Sequence, residues 1–264
     1  VGNHAISNDG RYIAYIINKF SSLGARKSNL LLNNEILIYN VEDDFEKRIS
    51  FDRYDFYHIV WSPDSSEILL TARNPERYKQ NVHYPMGLLI NRNGDIIQKY
   101  DKIGSNLSFS PDGDKIVWAF LNSKSLIIID KYTGETIQEF KLDFPIQWIT
   151  NIDWRCSDNN ILLTIQDDLG YFRIYEIDIK LNTYNLLVTK SLPIYSGQYL
   201  ENQKKICYIL HNGNSSKLIS SDKKSESILI NNLNTGFIPE FANYFNISLN
   251  RKIAHTKSTT QTSI

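Results

Sequence analysis

The chain has 264 residues, of which 42% are hydrophobic and 12% aromatic, which is enough bulk for a packed core. Its 29 Lys and Arg residues balance its 29 Asp and Glu residues, so the formal net charge is zero at pH 7. This balance excludes a broad electrostatic attraction to nucleic acid or to an anionic membrane. No stretch approaches the 18 consecutive apolar residues that indicate a membrane-spanning helix.

One short turn motif recurs along the chain. Its clearest copy is residues 109–119, where Ser110-Pro111-Asp112-Gly113 separates two apolar, β-prone segments. The proline presets φ for a turn, the aspartate bonds nearby backbone, and the glycine tolerates positive φ. Further copies, which match the clearest copy to different degrees, occur in chain order at residues 6–14, 61–69, 154–161, 199–206 and 247–254. We predict that the motif aspartates, Asp9, Asp64 and Asp112, are structural turn residues.

The spacing of these copies predicts the fold. The isoleucines that open each second strand are Ile13, Ile68, Ile116, Ile161, Ile206 and Ile253. The steps between them are 55, 48, 45, 45 and 47 residues, and two further β-like segments usually follow each hairpin. Four strands per period of this length are typical of a β-propeller blade. We therefore predict an all-β chain, with residues 1–264 forming one β-propeller of about six four-stranded blades, the last of them incomplete. The approximate repeats are residues 1–56, 57–104, 105–145, 146–192, 193–241 and 242–264.

The sequence contains no recognisable catalytic constellation. It has no Gly-x-Ser-x-Gly nucleophile elbow, and its glycines are scattered singly rather than grouped into a phosphate-binding loop. The five histidines show no metal-ligand spacing with one another or with the cysteines. We predict that the chain has no catalytic residues, no metal and no cofactor.

Two sets of residues are candidates for binding. The position three residues before the motif is polar in five repeats, and the alternation of side chains along a strand would send this set to one environment. These residues are Asn3, His58, Asn106, Asn151 and Ser196. They form either a ligand-binding ring at one mouth of the propeller channel or a set of groups that hold water and tie strand entries together.

Two long loops, residues 20–34 and 73–85, interrupt the period and are either recognition loops or tolerated insertions. The second loop carries Arg77, Tyr78, His83 and Tyr84, which are residue types that bind partners well. The two cysteines, Cys156 and Cys207, could form a disulfide in an oxidising compartment. The alternative is that one is a buried apolar residue and the other a turn substitution.

Residues 61–70 and 109–119 resemble the TolB-like, WD-related propeller repeat, which opens a blade with an aromatic residue, Ser-Pro-Asp-Gly and an apolar strand. The resemblance implies three contexts: a periplasmic scaffold, the gating propeller of a prolyl-oligopeptidase-type peptidase, or the extracytoplasmic part of a winged-helix regulator similar to CadC and ToxR. The ending, residues 253–264, looks most like the closing repeat of the regulators.

The chain opens at Val1 without Met and closes within a predicted strand at Ile264, so we expect a domain cut from a longer protein. From the resemblance we expect a non-catalytic binding or sensing domain located in the periplasm, with a cytoplasmic location as the alternative. Its partner would be a protein, a peptide or a small ligand. We expect that this chain itself neither binds nucleic acid directly nor inserts into a membrane.

Overall fold

The computed structural model describes residues 4–17, 34–51, 54–73, 85–104, 106–120, 124–154, 159–200, 205–213, 215–222, 225–233, 246–247 and 253–254. Two compact units divide the chain, Val1–Phe120 with Ser125–Glu139, and Leu121–Lys124 with Phe140–Ile264. The described residues contain no helix long and apolar enough to cross a bilayer.

The first unit holds three antiparallel sheets, each with its four strands in sequence order. The first sheet comprises β1 (His4–Ile6), β2 (Tyr12–Ile17), β3 (Asn34–Asn40) and β4 (Phe45–Phe51). The second comprises β5 (Asp55–Trp61), β6 (Glu67–Arg73), β7 (Met86–Asn91) and β8 (Ile96–Tyr100). The third comprises β9 (Leu107–Phe109), β10 (Lys115–Phe120), β11 (Ser125–Asp130) and β12 (Thr136–Lys141), and the unit boundary falls within β12, after Glu139.

The second unit holds two further sheets of the same kind. The fourth sheet comprises β13 (Trp148–Asp153), β14 (Asn160–Gln166), β15 (Phe172–Asp178) and β16 (Thr183–Lys190). The fifth comprises β17 (Ile194–Leu200), β18 (Lys205–His211), β19 (Ser216–Ser221) and β20 (Glu226–Leu233). The all-β prediction and the four-stranded blade are thereby confirmed.

The predicted blade number of about six is wrong, because the described residues form five four-stranded blades. The described residues of the sixth repeat form two paired strands of two residues each, β21 (Asn246–Ile247) and β22 (Ile253–Ala254). The motif copy of this repeat is one residue shorter than the clearest copy, and it has Leu249 and Asn250 where that copy has proline and aspartate. Spacing alone therefore overcounted the blades.

Burial on both faces explains the near-continuous apolar runs of the second strands. In β6, Ile68 and Leu70 belong to the core cluster shared with the first sheet, whereas Leu69 belongs to the cluster shared with the third sheet. All three side chains are fully buried. Because successive side chains of a strand point to opposite faces, one strand supplies apolar contacts to the blades on either side of it.

The motif turns are held by their own side chains, as predicted. In the second copy, Ser62 Oγ donates to Asp64 Oδ1 at 2.6 Å and accepts the backbone N–H of Glu67 at 2.9 Å. The first and third copies repeat this circuit. Gly113 has a φ of +79°, as its position in the turn predicted, and Ser65 takes the same region with a φ of +62°. The motif aspartates are therefore committed to the fold.

Candidate functional site

A groove of about 370 Å³ lies in the first unit between the first and second sheets. Its lining consists of Tyr12, Ile38, Asn40, Phe45, Lys47, Ser66, Asn91, Arg92 and Asn93. These residues come from the start of β2, the β3–β4 hairpin, the second motif turn and the turn between β7 and β8. Two consecutive blades thus build one concave surface, which is where recognition sites tend to form.

The alternation of side chains along β4 decides which of them face the groove. Phe45 and Lys47 share one face of the strand with the buried Ile49, whereas Glu46 and Arg48 lie on the opposite face. Arg48 pairs there with Glu46 at 2.8 Å. Lys47 instead reaches across to the second blade, where its Nζ donates to Asn93 Oδ1 at 3.1 Å. The groove therefore receives one cation of β4, and the neighbouring cation is neutralised outside it.

Two aromatic residues in contact position the second cation. Arg92 Nη1 donates to Tyr12 Oη at 2.7 Å, and its guanidinium lies 4.9 Å from the centroid of the Tyr12 ring. That ring lies 5.9 Å from the ring of Trp61, which is buried and donates from Nε1 to the carbonyl of Ala5. A guanidinium over an aromatic face is stabilised by the ring quadrupole. Arg92 is thus held over the groove by residues anchored in the core.

Within the described residues, neither Lys47 nor Arg92 forms an ion pair with a carboxylate. The nearby acids are engaged on the flanking turns, where Asp43 accepts from Asn40 and Asp95 accepts from Asn91. Among the described residues, no carboxylate lines the groove. The two cations are therefore available to an anionic ligand.

The sequence did not single out this groove. Its cations lie 45 residues apart, between Lys47 and Arg92, at positions where each alone resembles an ordinary exposed charge. In the sequence, Asn93 and Gly94 indicate only a hairpin connection. Aligning the outer hairpins of consecutive repeats is the signal that would have found the site, because adjacent blades bring those hairpins together.

The predicted polar positions in the first unit are only partly described, since Asn3 lies outside the described residues. His58 sits on β5 beside a bulge and faces Thr71 across the strand pair. Its Nδ1 and the Oγ1 of Thr71 are buried and have no hydrogen-bond partner among the described residues. Burial lowers the pKa of His58 to about 4, so the imidazole is neutral at pH 7. Asn106 precedes β9, and its carbonyl accepts the N–H of Ala119 at 3.2 Å.

In the second unit, Asn151 also lies beside a bulge, and its Nδ2 donates to the carbonyl of Gly197 at 2.9 Å. This bond joins the neighbouring inner strands β13 and β17. Ser196 is buried and has a φ of +51°. Asn151 here ties strands together, which matches the second reading of the polar set. The ligand-binding ring stays a prediction.

The other predicted binding residues, Arg77, Tyr78, His83 and Tyr84, lie outside the described residues, as does Cys156. Cys207 is buried on β18. The disulfide between Cys156 and Cys207 therefore remains a prediction. Among the described residues, no group of three His, Cys, Asp or Glu side chains could hold a metal ion.

Comparison with known proteins identifies similar folds. No protein-family profile and no curated protein matches the sequence. Among solved structures, TolB from Acinetobacter baumannii is similar with a TM-score of 0.61 and 15% identity, over 87% of this chain and 54% of that one. The β-propeller domain of the Trilobed protease from Pyrococcus furiosus, which has an open velcro topology, gives 0.54 and 16%, over 86% and 70%. An oligogalacturonate lyase in complex with manganese gives 0.63 and 10%, over 95% and 71%.

These identities are low, so the similarity concerns the fold and not the chemistry. The chain spans about half the length of the TolB structure that it matches. Five four-stranded blades and these structural neighbours together establish a TolB-like β-propeller fold.

Proposed function

We propose that this chain is a non-catalytic binding module and that the groove between its first two blades is a ligand site. The observation that carries this proposal is the pair of cations, Lys47 and Arg92, aimed into one groove without a carboxylate partner among the described residues. In the motif turns, by contrast, the polar side chains are hydrogen-bonded within the turn itself, so the turns serve as a rigid frame. Binding residues on a rigid frame are the usual arrangement of recognition sites.

In its cellular context, the binding module is the periplasmic sensor part of a bacterial membrane-bound transcriptional regulator. The TolB-like fold supports this role, as does the resemblance of residues 253–264 to the closing repeat of that group. DNA binding then belongs to a winged-helix domain elsewhere in a longer protein. The ligand is a protein, a peptide or a small molecule, and this chain neither binds nucleic acid nor inserts into the membrane.

The similarity to the propeller of the Trilobed protease favours a second candidate, a gating propeller of a prolyl-oligopeptidase-type peptidase. A scaffold like TolB is the third reading. The sequence of the parent protein separates them. A winged helix with one membrane span supports the regulator, a Gly-x-Ser-x-Gly domain supports the peptidase, and a signal peptide with neither appendage supports the scaffold.

Site-specific photocrosslinking in the cell that makes the parent protein tests the binding role. Benzoylphenylalanine replaces Phe45, which is 62% exposed and lines the groove, or Leu181, which is 68% exposed in the second unit and serves as the control. We expect a defined adduct by mass spectrometry at position 45 and none at 181. Absence of any adduct at 45, or the same adducts at both positions, would contradict a ligand site in the groove.

The thiol state tests the compartment. A Cys156–Cys207 disulfide in the protein isolated with its thiols trapped would support the periplasmic location. Two free thiols would favour the cytoplasm and, with it, a peptidase or scaffold role.

A further inference from the structure

Resting on the proposed function, we infer that the groove selects a single carboxylate carried by an aromatic or aliphatic group. The C-terminal residue of a peptide and a small free acid share this chemistry. Three features of the groove support the inference: the balance between its unused hydrogen-bond donors and acceptors, its apolar surface, and the charges around it.

The polar groups left over in the groove are donors. Arg92 makes one hydrogen bond, to Tyr12, and Lys47 makes one, to Asn93, so both keep N–H groups to donate. The Nδ2 of Asn93 has no partner among the described residues.

The amide acceptors are largely used. Asn40 Oδ1 accepts the backbone N–H groups of Glu42 and Asp43, and Asn91 Oδ1 accepts those of Asn93 and Asp95. The ligand must therefore bring acceptors, and a carboxylate brings two charged oxygens that suit a guanidinium and an ammonium.

Apolar surface lies beside these donors. Ile38 is buried at the base of the groove, and Phe45 exposes 62% of its surface at its edge. A large exposed aromatic next to unpaired cations fits a ligand in which the anion adjoins an apolar group. Covering Phe45 would remove apolar area from water, and this adds to the affinity that the charges provide.

The surroundings favour one negative charge over many. Two cations face the groove, but the flanking turns carry Glu42, Asp43, Asp44 and Asp95. These carboxylates repel a polyanion, and the chain as a whole has no positive charge to offset them. A monoanionic carboxylate has less charge for these acidic turns to repel, and it still offers its two oxygens to the cations that line the groove.

Calorimetric titration of the whole chain tests the selection, with N-acetyl-Ala-Phe as the free acid, the same peptide as its C-terminal amide, and 3-phenylpropanoate. We expect the free acid to bind at least about tenfold tighter than the amide, because a hydrogen bond to a charged group is worth about one decade or more of affinity. Tighter binding of the peptide acid than of 3-phenylpropanoate would assign the site to peptide ends, and the reverse would assign it to small acids. Either order supports the inference.

Charge-removing variants connect the binding to the groove. Arg92→Met and Lys47→Met should each weaken binding of the free acid about tenfold or more. Arg48→Met is the matched control, because Arg48 lies on the opposite face of the same strand and pairs with Glu46, and it should bind like the parent chain. Thermal unfolding of each variant verifies that it is folded.

The outcomes separate this inference from the proposed function. Equal binding of acid and amide, or equal weakening by Arg48→Met, would overturn carboxylate selection. Absence of binding by all three probes would also overturn it, while a crosslinked adduct at position 45 would leave the binding role intact. If the adduct at position 45 were also absent, both the carboxylate selection and the proposed binding role would be contradicted.

Discussion

Removing one partner of a buried ion pair should destabilise the first unit severely. Lys131 Nζ lies 2.9 Å from Glu67 Oε2, and the two side chains are only 7% and 13% exposed. The pair joins the third sheet to the second, and Tyr100 strengthens the same junction by donating its hydroxyl to the carbonyl of Lys131. Lys131 Nζ also lies 4.4 Å from the ring centroid of Tyr132. The perturbation is Glu67→Gln, which keeps the size of the side chain and removes its charge.

The cost follows from desolvation. When the ammonium of Lys131 stays buried without its carboxylate partner, the free energy of unfolding falls by about 3–5 kcal/mol, since little water can reach the charge. In a chain of this size, about 3 kcal/mol corresponds to a fall in Tm of about 6–12 °C. The double variant Glu67→Gln/Lys131→Met removes both charges, and it should regain most of the loss because no buried charge remains.

The pH dependence gives an independent check. Burial opposes the charged form of Lys131, but the hydrogen bond and charge of Glu67, together with the interaction with Tyr132, outweigh burial and raise the pKa of the lysine. A raised folded pKa means that the contribution is complete below the unfolded value of about 10.5 and disappears as pH rises through the folded value. The parent chain should therefore lose stability in strong alkali by a component that the double variant lacks.

Urea unfolding followed by circular dichroism measures these differences. Destabilisation of less than about 1 kcal/mol by Glu67→Gln would place the pair among ordinary surface salt bridges and refute the reasoning. A double variant no more stable than Glu67→Gln would refute it equally, since the loss would then not come from an uncompensated charge.

Two further substitutions, one of them also tested for its pH dependence, probe the frame by urea or thermal unfolding. Ser110→Ala should cost about 1–2 kcal/mol, because the hydroxyl both donates to Asp112 and accepts a backbone N–H; an unchanged urea midpoint would contradict this. Gly104→Ala should cost about 1–3 kcal/mol, because the new Cβ would collide with the carbonyl oxygen of Ala119; a neutral effect would contradict the close approach. Burial opposes ionisation of Asp112, but hydrogen bonds led by that from Ser110 lower its pKa, so its contribution is present above pH 3.8 and is lost as pH falls through the folded value. The Ser110→Ala variant should lose less stability than the parent between pH 4 and pH 2, and an equal loss would contradict this.

The periodic part of the fold was predictable from the sequence because it depends on local chemistry. Turn residues such as Pro111 and Gly113 determine the backbone conformation of only a few neighbouring positions. The apolar run of β6 directly indicates a strand that is buried on both faces. The blade count failed because it extended the periodicity to a sixth repeat, whose described residues pair only over Asn246–Ile247 and Ile253–Ala254. Spacing is a necessary condition for a blade and not a sufficient one.

The groove was not predictable because it depends on register and on contact between blades. Whether Lys47 or Arg48 faces the groove is decided by one residue of strand register, which Ile49 fixes by being buried. Arg92 takes its position from Tyr12, which lies 80 residues earlier in the chain. The polar positions on the inner strands were visible as a pattern, but the sequence could not foresee that Asn151 would bond the carbonyl of Gly197.

The most direct test of ligand binding in the groove is an NMR titration that observes the arginine side-chain Nε–Hε resonances while N-acetyl-Ala-Phe is added. The proposed site predicts a saturable shift of the Arg92 resonance, together with the backbone amides of Asn93 and Gly94, while the Arg48 resonance stays in place. Shifts confined to residues outside the groove, or an Arg92 resonance unmoved at saturating peptide, would contradict the site.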